Sequence, residues 1–115
     1  MKQIWIAAPL LALAALAGCR DEQGEGPMKP GIYSTLSNGV EHRAIFNKDG
    51  TYVDMQDNVP KPVSQGTWSR KDGKLCLHET GAAAPLCAEE KAVGSDGSFS
   101  ITANGVTQEF KALAQ

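Results

Sequence analysis

What this sequence lacks narrows its reading first. Beyond the first twenty residues no segment keeps an apolar helical period, and turn-forming pairs interrupt the chain at short intervals. That excludes a helix bundle and the strand–helix alternation of a parallel α/β fold. Aromatic residues are scarce, 6% of 115 residues, so a single small domain has a modest core. Domains of that size bury a smaller share of their surface and often need a staple. Charge of one sign is missing too: 11 basic against 13 acidic residues leave a net charge of −2 and no basic face. Phosphate backbones are bound by clustered Lys and Arg, so nucleic acid is not an expected partner.

Reactive patterns are equally sparse. His42, His78, Cys76, Cys87, Met28 and Met55 are the soft metal ligands of the domain, and no two have the spacing of Cys-x-x-Cys or His-x-x-x-His. Asp49, Asp54 and Asp57 do not follow an EF-hand loop. Neither a metal nor a cofactor is expected. There is no Gly-x-Ser-x-Gly elbow, phosphate loop or dinucleotide fingerprint. Glu41 and His42, or His78 and Glu79, point to opposite faces if they lie in strands. These residues predict a domain without catalysis.

The amino terminus carries the most specific signal. Met1-Lys2-Gln3 bears one positive charge, and the apolar run Ile4–Ala17 that follows is signal-sized. It falls short of the roughly 20 residues of a spanning helix. It ends in Leu16-Ala17-Gly18-Cys19. This resembles the lipobox of bacterial lipoproteins. The resemblance implies a signal peptide over 1–18, forming a signal helix, with cleavage by signal peptidase II before Cys19. It also implies diacylglycerol on the Cys19 thiol, with acyl chains such as palmitate, and a membrane partner reached through that anchor. Several acyl chains anchor durably where one is marginal. In Gram-negative members, aspartate directly after the lipidated cysteine marks retention at the inner membrane. Arg20 stands there in this chain, so the resemblance implies the outer membrane facing the periplasm, with the inner membrane as alternative. Residues 20–30 are polar and contain Gly and Pro, so 19–30 reads as lipidated cysteine and flexible tether. As a coil it would span about 18 Å.

The domain over 31–115 reads as all-β. Asn38-Gly39, Asp49-Gly50, Asp72-Gly73, Asp96-Gly97 and Asn104-Gly105 mark tight turns. They cut the chain into an antiparallel up-and-down meander of about eight short strands near 31–37, 40–46, 51–56, 63–70, 74–79, 84–91, 98–103 and 106–112. The three Asp-Gly pairs recur at nearly equal spacing, which places those turns at one end. The longer link Asp57–Pro62 contains prolines and stays out of the sheet. Closure into a small barrel, an open half-barrel and two packed sheets all fit. Trp68, Tyr33, Tyr52, Phe46, Phe99 and Phe110 are the expected core, and a bulged turn at Asn47–Gly50 makes Phe46 and Tyr52 cross-strand neighbours.

With Cys19 set aside, Cys76 and Cys87 form an even pair in an oxidising compartment, predicting a disulfide. Its register sets Cys76 opposite Cys87, Leu77 opposite Leu86 and His78 opposite Pro85, around a loop at Thr80–Ala83. No activating base is near in sequence, so the pair reads as a structural staple.

The order Asp49-Gly50-Thr51-Tyr52, Gly66-Thr67-Trp68, Asp72-Gly73-Lys74-Leu75-Cys76, Cys87, Asp96-Gly97 resembles small lipoproteins of alphaproteobacteria with a β-barrel-like domain. The architecture is also similar to bacterial lysozyme inhibitors and metalloprotease inhibitors. The expectation is a lipid-anchored envelope protein whose β-domain binds a partner, itself an envelope protein, or gives structural support. An inhibitor of a periplasmic or exogenous hydrolase, and a carrier of a small apolar ligand, are the alternatives. Recognition is expected away from the staple, at the opposite rim and the Asp57–Pro62 loop.

Overall fold

A computed structural model describes residues 24–113; the expected signal peptide and Cys19 lie outside them. The described chain is all-β. Its strands are β1 (Gly31–Ser37), β2 (Val40–Phe46), β3 (Thr51–Gln56), β4 (Ser64–Lys71), β5 (Lys74–Glu79), β6 (Leu86–Ala92), β7 (Phe99–Ala103) and β8 (Val106–Ala112). They pair in chain order, all antiparallel, and β8 returns to β1, so the sheet is a closed barrel. Of the three arrangements open to the sequence, closure is the one that leaves no sheet edge.

The turns follow from local chemistry. Asn38-Gly39, Asp72-Gly73 and Asn104-Gly105 each place both residues at positive φ, the geometry that joins twisted strands in two residues. At Asn47–Gly50 the Asn47 amide donates to the Thr51 carbonyl and the Gly50 amide to the Asn47 carbonyl. Asp49 Oδ1 accepts from the Thr51 amide at 3.0 Å and its hydroxyl at 2.7 Å. Phe46 then pairs with Tyr52, as the bulged turn predicts. The Asp-Gly turns all fall at one end of the barrel and the Asn-Gly turns at the other.

Alternation sends one face of each strand inward. Tyr33, Phe46, Tyr52, Trp68, Leu75, Ala88, Phe99, Ile101 and Phe110 fill the interior. Phe99 stacks on Phe110 at 4.9 Å between centroids, and Tyr33 meets Phe99 edge-on at the same distance. Such pairs stabilise by about 0.5–1.5 kcal/mol each beyond their buried area. All six aromatics expected in the core are there.

The two ends differ. At the Asp-Gly end the segment Gly24–Pro30 crosses the barrel, and Met28 is 1% exposed against the core. Part of the stretch read as tether is therefore packed. A buried ion pair holds it. Arg70 and Glu90 both face inward, and the guanidinium grips the carboxylate through Nε at 2.5 Å and a terminal nitrogen at 3.0 Å. The same guanidinium donates to the Met28 carbonyl at 2.8 Å, while Glu90 accepts the Met28 amide at 2.9 Å. Tyr33 completes the clasp by donating to the Lys29 carbonyl. Burial is the chief reason its phenol ionises above the ordinary 10.0; the Lys29 backbone hydrogen bond works against that rise.

Candidate functional site

The Asn-Gly end is the open one. A cavity of about 200 Å³ enters the barrel there. Its floor is apolar: Phe46, Tyr52, Phe110, Ile101 and Leu77, with the half-exposed Leu86 at the rim. Its upper wall is polar: Thr35, His42, Asp54, Ser64 and Gln108. This split arises because three strands carry an apolar residue toward the closed end and a polar one, two or four places away, toward the mouth. Phe46 and His42 of β2, Tyr52 and Asp54 of β3, and Phe110 and Gln108 of β8 all follow that rule.

His42 and Asp54 form the focus of the polar wall. Nδ1 of His42 lies 2.8 Å from Asp54 Oδ1, with side chains 14% and 33% exposed. A carboxylate only accepts, so Nδ1 carries the proton in the neutral ring and Nε2 presents a lone pair. The contact follows from register: Phe46 opposite Tyr52 sets Ala44 opposite Asp54, and His42 is the next inward residue. Across the interior, Gln108 donates to the Thr35 hydroxyl at 2.9 Å, and that hydroxyl donates to the Glu109 carbonyl at 2.7 Å. Tyr52 lies below this wall. Burial raises its phenol pKa above 10.0, a hydrogen bond from Ser64 opposes that, and the Glu79 and Asp54 carboxylates add to the rise.

Beside the mouth the outer surface between β1 and β8 is grooved. The β1–β8 ladder holds at Tyr33–Ala112, Ser34–Lys111 and Thr35–Phe110 and goes no further. Beyond it Leu36 and Val106, 65% and 70% exposed, flank a surface groove of about 660 Å³. Groove and mouth share Thr35, Ser37, Gln108 and Phe110.

The other residues singled out by sequence take simpler places. Cys76 and Cys87 are joined, on the outer face of β5 and β6. Leu77 pairs with Leu86 as expected, but the ladder stops there and β6 starts at Leu86. Pro85 has no amide to donate, so His78 does not pair with it; its Nε2 lies 2.9 Å from the Ala82 carbonyl oxygen instead. Asp49 and Asp96 cap their turns, and hydrogen bonds from Thr51 and Ser98 hold both carboxyls below the ordinary 3.8. Among the described residues no three His, Cys, Asp or Glu side chains converge to hold a metal. No hydroxyl among them hydrogen-bonds to His42 Nε2, so the His42–Asp54 dyad has no nucleophile in place.

The Asp57–Pro62 link borders the open end. One expectation about position changes: the staple hairpin, expected to stand apart, contributes Leu77 and Leu86 to the cavity lining. The sequence reading missed the His42–Asp54 and Arg70–Glu90 pairs; the Phe46–Tyr52 register it drew contains the first, and the second needs the β4–β5 register that it did not draw. No family model, curated protein or solved structure matches this chain.

Proposed function

We propose that this is a lipid-anchored envelope protein whose barrel is a binding module, held with its closed end toward the membrane and its mouth away from it. The observation that carries this reading is the position of Gly24–Met28. The Arg70–Glu90 clasp holds that segment over the closed end. Only four residues lie between Cys19 and Gly24, so the two are about 17 Å apart even at full extension. An anchor at Cys19 therefore keeps the closed end near the bilayer.

Charge supports the same orientation. Lys29, Lys48, Lys71, Lys74, Lys91 and Lys111 lie toward the closed end, where they outnumber Glu25, Asp49, Asp72 and Asp96. Toward the open rim, Glu41, Asp54, Asp57 and Glu79 outnumber Arg43 and Lys61. Lysines near an anionic leaflet are each favourable by about 1 kcal/mol, so the net excess gives a bias in tilt and no anchor by itself. The mouth favours binding over a purely structural role, because a support element has no need of an accessible cavity. Its volume also separates the ligand readings. About 200 Å³ is little more than a benzene-sized site and below the usual range for larger ligands, so a whole lipid does not fit.

Cys19→Ser tests the anchor: acyl labelling is abolished and the protein leaves the membrane fraction. Unchanged labelling and fractionation would sink the reading. Orientation is tested on the lipidated chain with spin labels. A label at Asp72 is relaxed by a headgroup-bound quencher and one at Asn104 is not; the reverse order overturns the orientation.

A further inference from the structure

We infer that the mouth binds a small primary amine with a compact apolar body, of about the size of benzylamine. This deepens the binding-module reading and rests on it. Three observations carry it: a cavity that takes one ring, an inventory of polar groups weighted toward acceptors, and a one-signed charge.

The floor sets the body. Phe46, Phe110, Ile101 and Leu77 surround a space of about 200 Å³. An apolar cavity of about 150 Å³ already accepts benzene, so one ring fits with room for a short arm toward the polar wall.

The wall sets the head. The donors are largely committed within the protein. The Nδ1 proton of His42 goes to Asp54, an amide hydrogen of Gln108 to Thr35, and the Thr35 hydroxyl to Glu109. Beside one amide hydrogen of Gln108 and the hydroxyls of Ser37, Tyr52 and Ser64, which can also accept, these groups retain acceptors: Nε2 of the neutral His42 ring, the second carboxylate oxygen of Asp54 and the carbonyl of Gln108. An ammonium group has three donors and no acceptor, and complements that set. A carboxylate or phosphate head brings acceptors to acceptors.

Charge agrees. No Lys or Arg lines the cavity, while Asp54 does. Glu79 stands on the inward face of β5, opposite Gly66, and both carboxylates act on the Tyr52 hydroxyl. Phe46 and Tyr52, stacked on each other with planes 20° apart, give the floor its aromatic character.

The test uses three probes with the same ring: benzylamine, benzyl alcohol and benzoate. Each is titrated into the full-length chain in nonionic detergent, and the Ile101 methyl signals are followed by NMR. The Met28 methyl at the closed end reports partition into detergent and any change of fold. Benzylamine is expected to saturate the Ile101 shift with an affinity roughly tenfold or more above benzoate, with benzyl alcohol between. Asp54→Asn is expected to bring benzylamine down to the level of benzyl alcohol without moving Met28. Ala44→Leu, which fills the cavity, removes all three responses. Benzoate or benzyl alcohol binding as tightly as benzylamine overturns the proposal, and so does the absence of any Ile101 shift. If Asp54→Asn fails to fold, the order of the three probes on the natural chain still decides. The anchor is read by acyl labelling, so failure of either proposal is seen separately.

Discussion

At the scale of single residues, two positions carry unusual constraint. Gly66 pairs with Tyr52 on one side and Glu79 on the other. A Cβ there would lie 2.1 Å from the His78 carbonyl oxygen, although the φ of Gly66 is not positive. The need is for close backbone approach, a common reason for glycine inside a strand. Gly66→Ala is expected to lower stability by about 1–3 kcal/mol through overpacking. Urea denaturation checks it, and an unmoved midpoint would mean that β4 and β5 can part freely. The second position is the Arg70–Glu90 pair, with side chains 6% and 3% exposed. Removing one partner leaves a buried charge, so Arg70→Met is expected to cost about 3–5 kcal/mol. The double variant Arg70→Met, Glu90→Met should regain most of that loss. In the double variant hydrogen exchange at the Met28 amide should accelerate, since Glu90 no longer accepts it. Both pairs of charged residues were legible in principle. Counting outward from Phe46 opposite Tyr52 reaches His42 beside Asp54, and alternation from Trp68 turns Arg70 inward. The sequence alone offers no reason to prefer those contacts over solvated side chains.

At the scale of elements, the β5–β6 hairpin combines two tasks. Its outer face carries the disulfide, and its inner face lends Leu77 and Leu86 to the mouth. The ladder between the strands is short, from Leu75–Ala88 to Leu77–Leu86. The bond therefore secures a weakly paired part of the barrel. Cys76→Ser with Cys87→Ser is expected to lose about 3 kcal/mol on the loop-entropy account. The loss should appear as a lower melting temperature with an unchanged circular dichroism spectrum in the cold. A melting temperature insensitive to reduction would assign the hairpin's stability to packing alone. Pairing of the cysteines was legible from their number and compartment. The extent of the loop was not, because Pro85 ends the ladder through its missing amide and the loop closes on itself through Ala82 and Glu79.

For the whole molecule, the closed barrel ties stability to pH at the alkaline side. Tyr33 and Tyr52 have phenols whose pKa rises above 10.0, first through burial. A pKa higher in the folded chain than in the unfolded one means that the unfolded chain ionises first. Stability from these groups is complete below about pH 10 and is lost as pH climbs through their folded values. The melting temperature should fall from about pH 10 upward, and the fall should be shallower for Tyr33→Phe, provided its clasp with Lys29 is not limiting. Tyrosinate absorbance, recorded with the melt, checks the order of events; ionisation complete before any loss of stability would contradict it. The same closure gives the molecule its polarity, a plugged lysine-bearing end and an open acidic one, which the proposed anchor and mouth exploit.

The order of strands, the turns and the aromatic core were determined locally. Asn-Gly and Asp-Gly impose their own backbone geometry, and alternation then sorts the faces of each strand. Pairing of Cys76 with Cys87 followed from cysteine number and compartment, and that pairing set one register. Only the tertiary structure decided closure, because joining β8 to β1 brings together residues more than seventy positions apart, and no local preference encodes that. It also decided which end is plugged. Met28 looks like an isolated apolar residue in a polar stretch until Arg70 and Glu90, from separate strands, meet beneath it. The mouth is the outcome of both: the apolar half of the interior is filled, the polar half is not, and the difference lies in how the registers stack across the barrel.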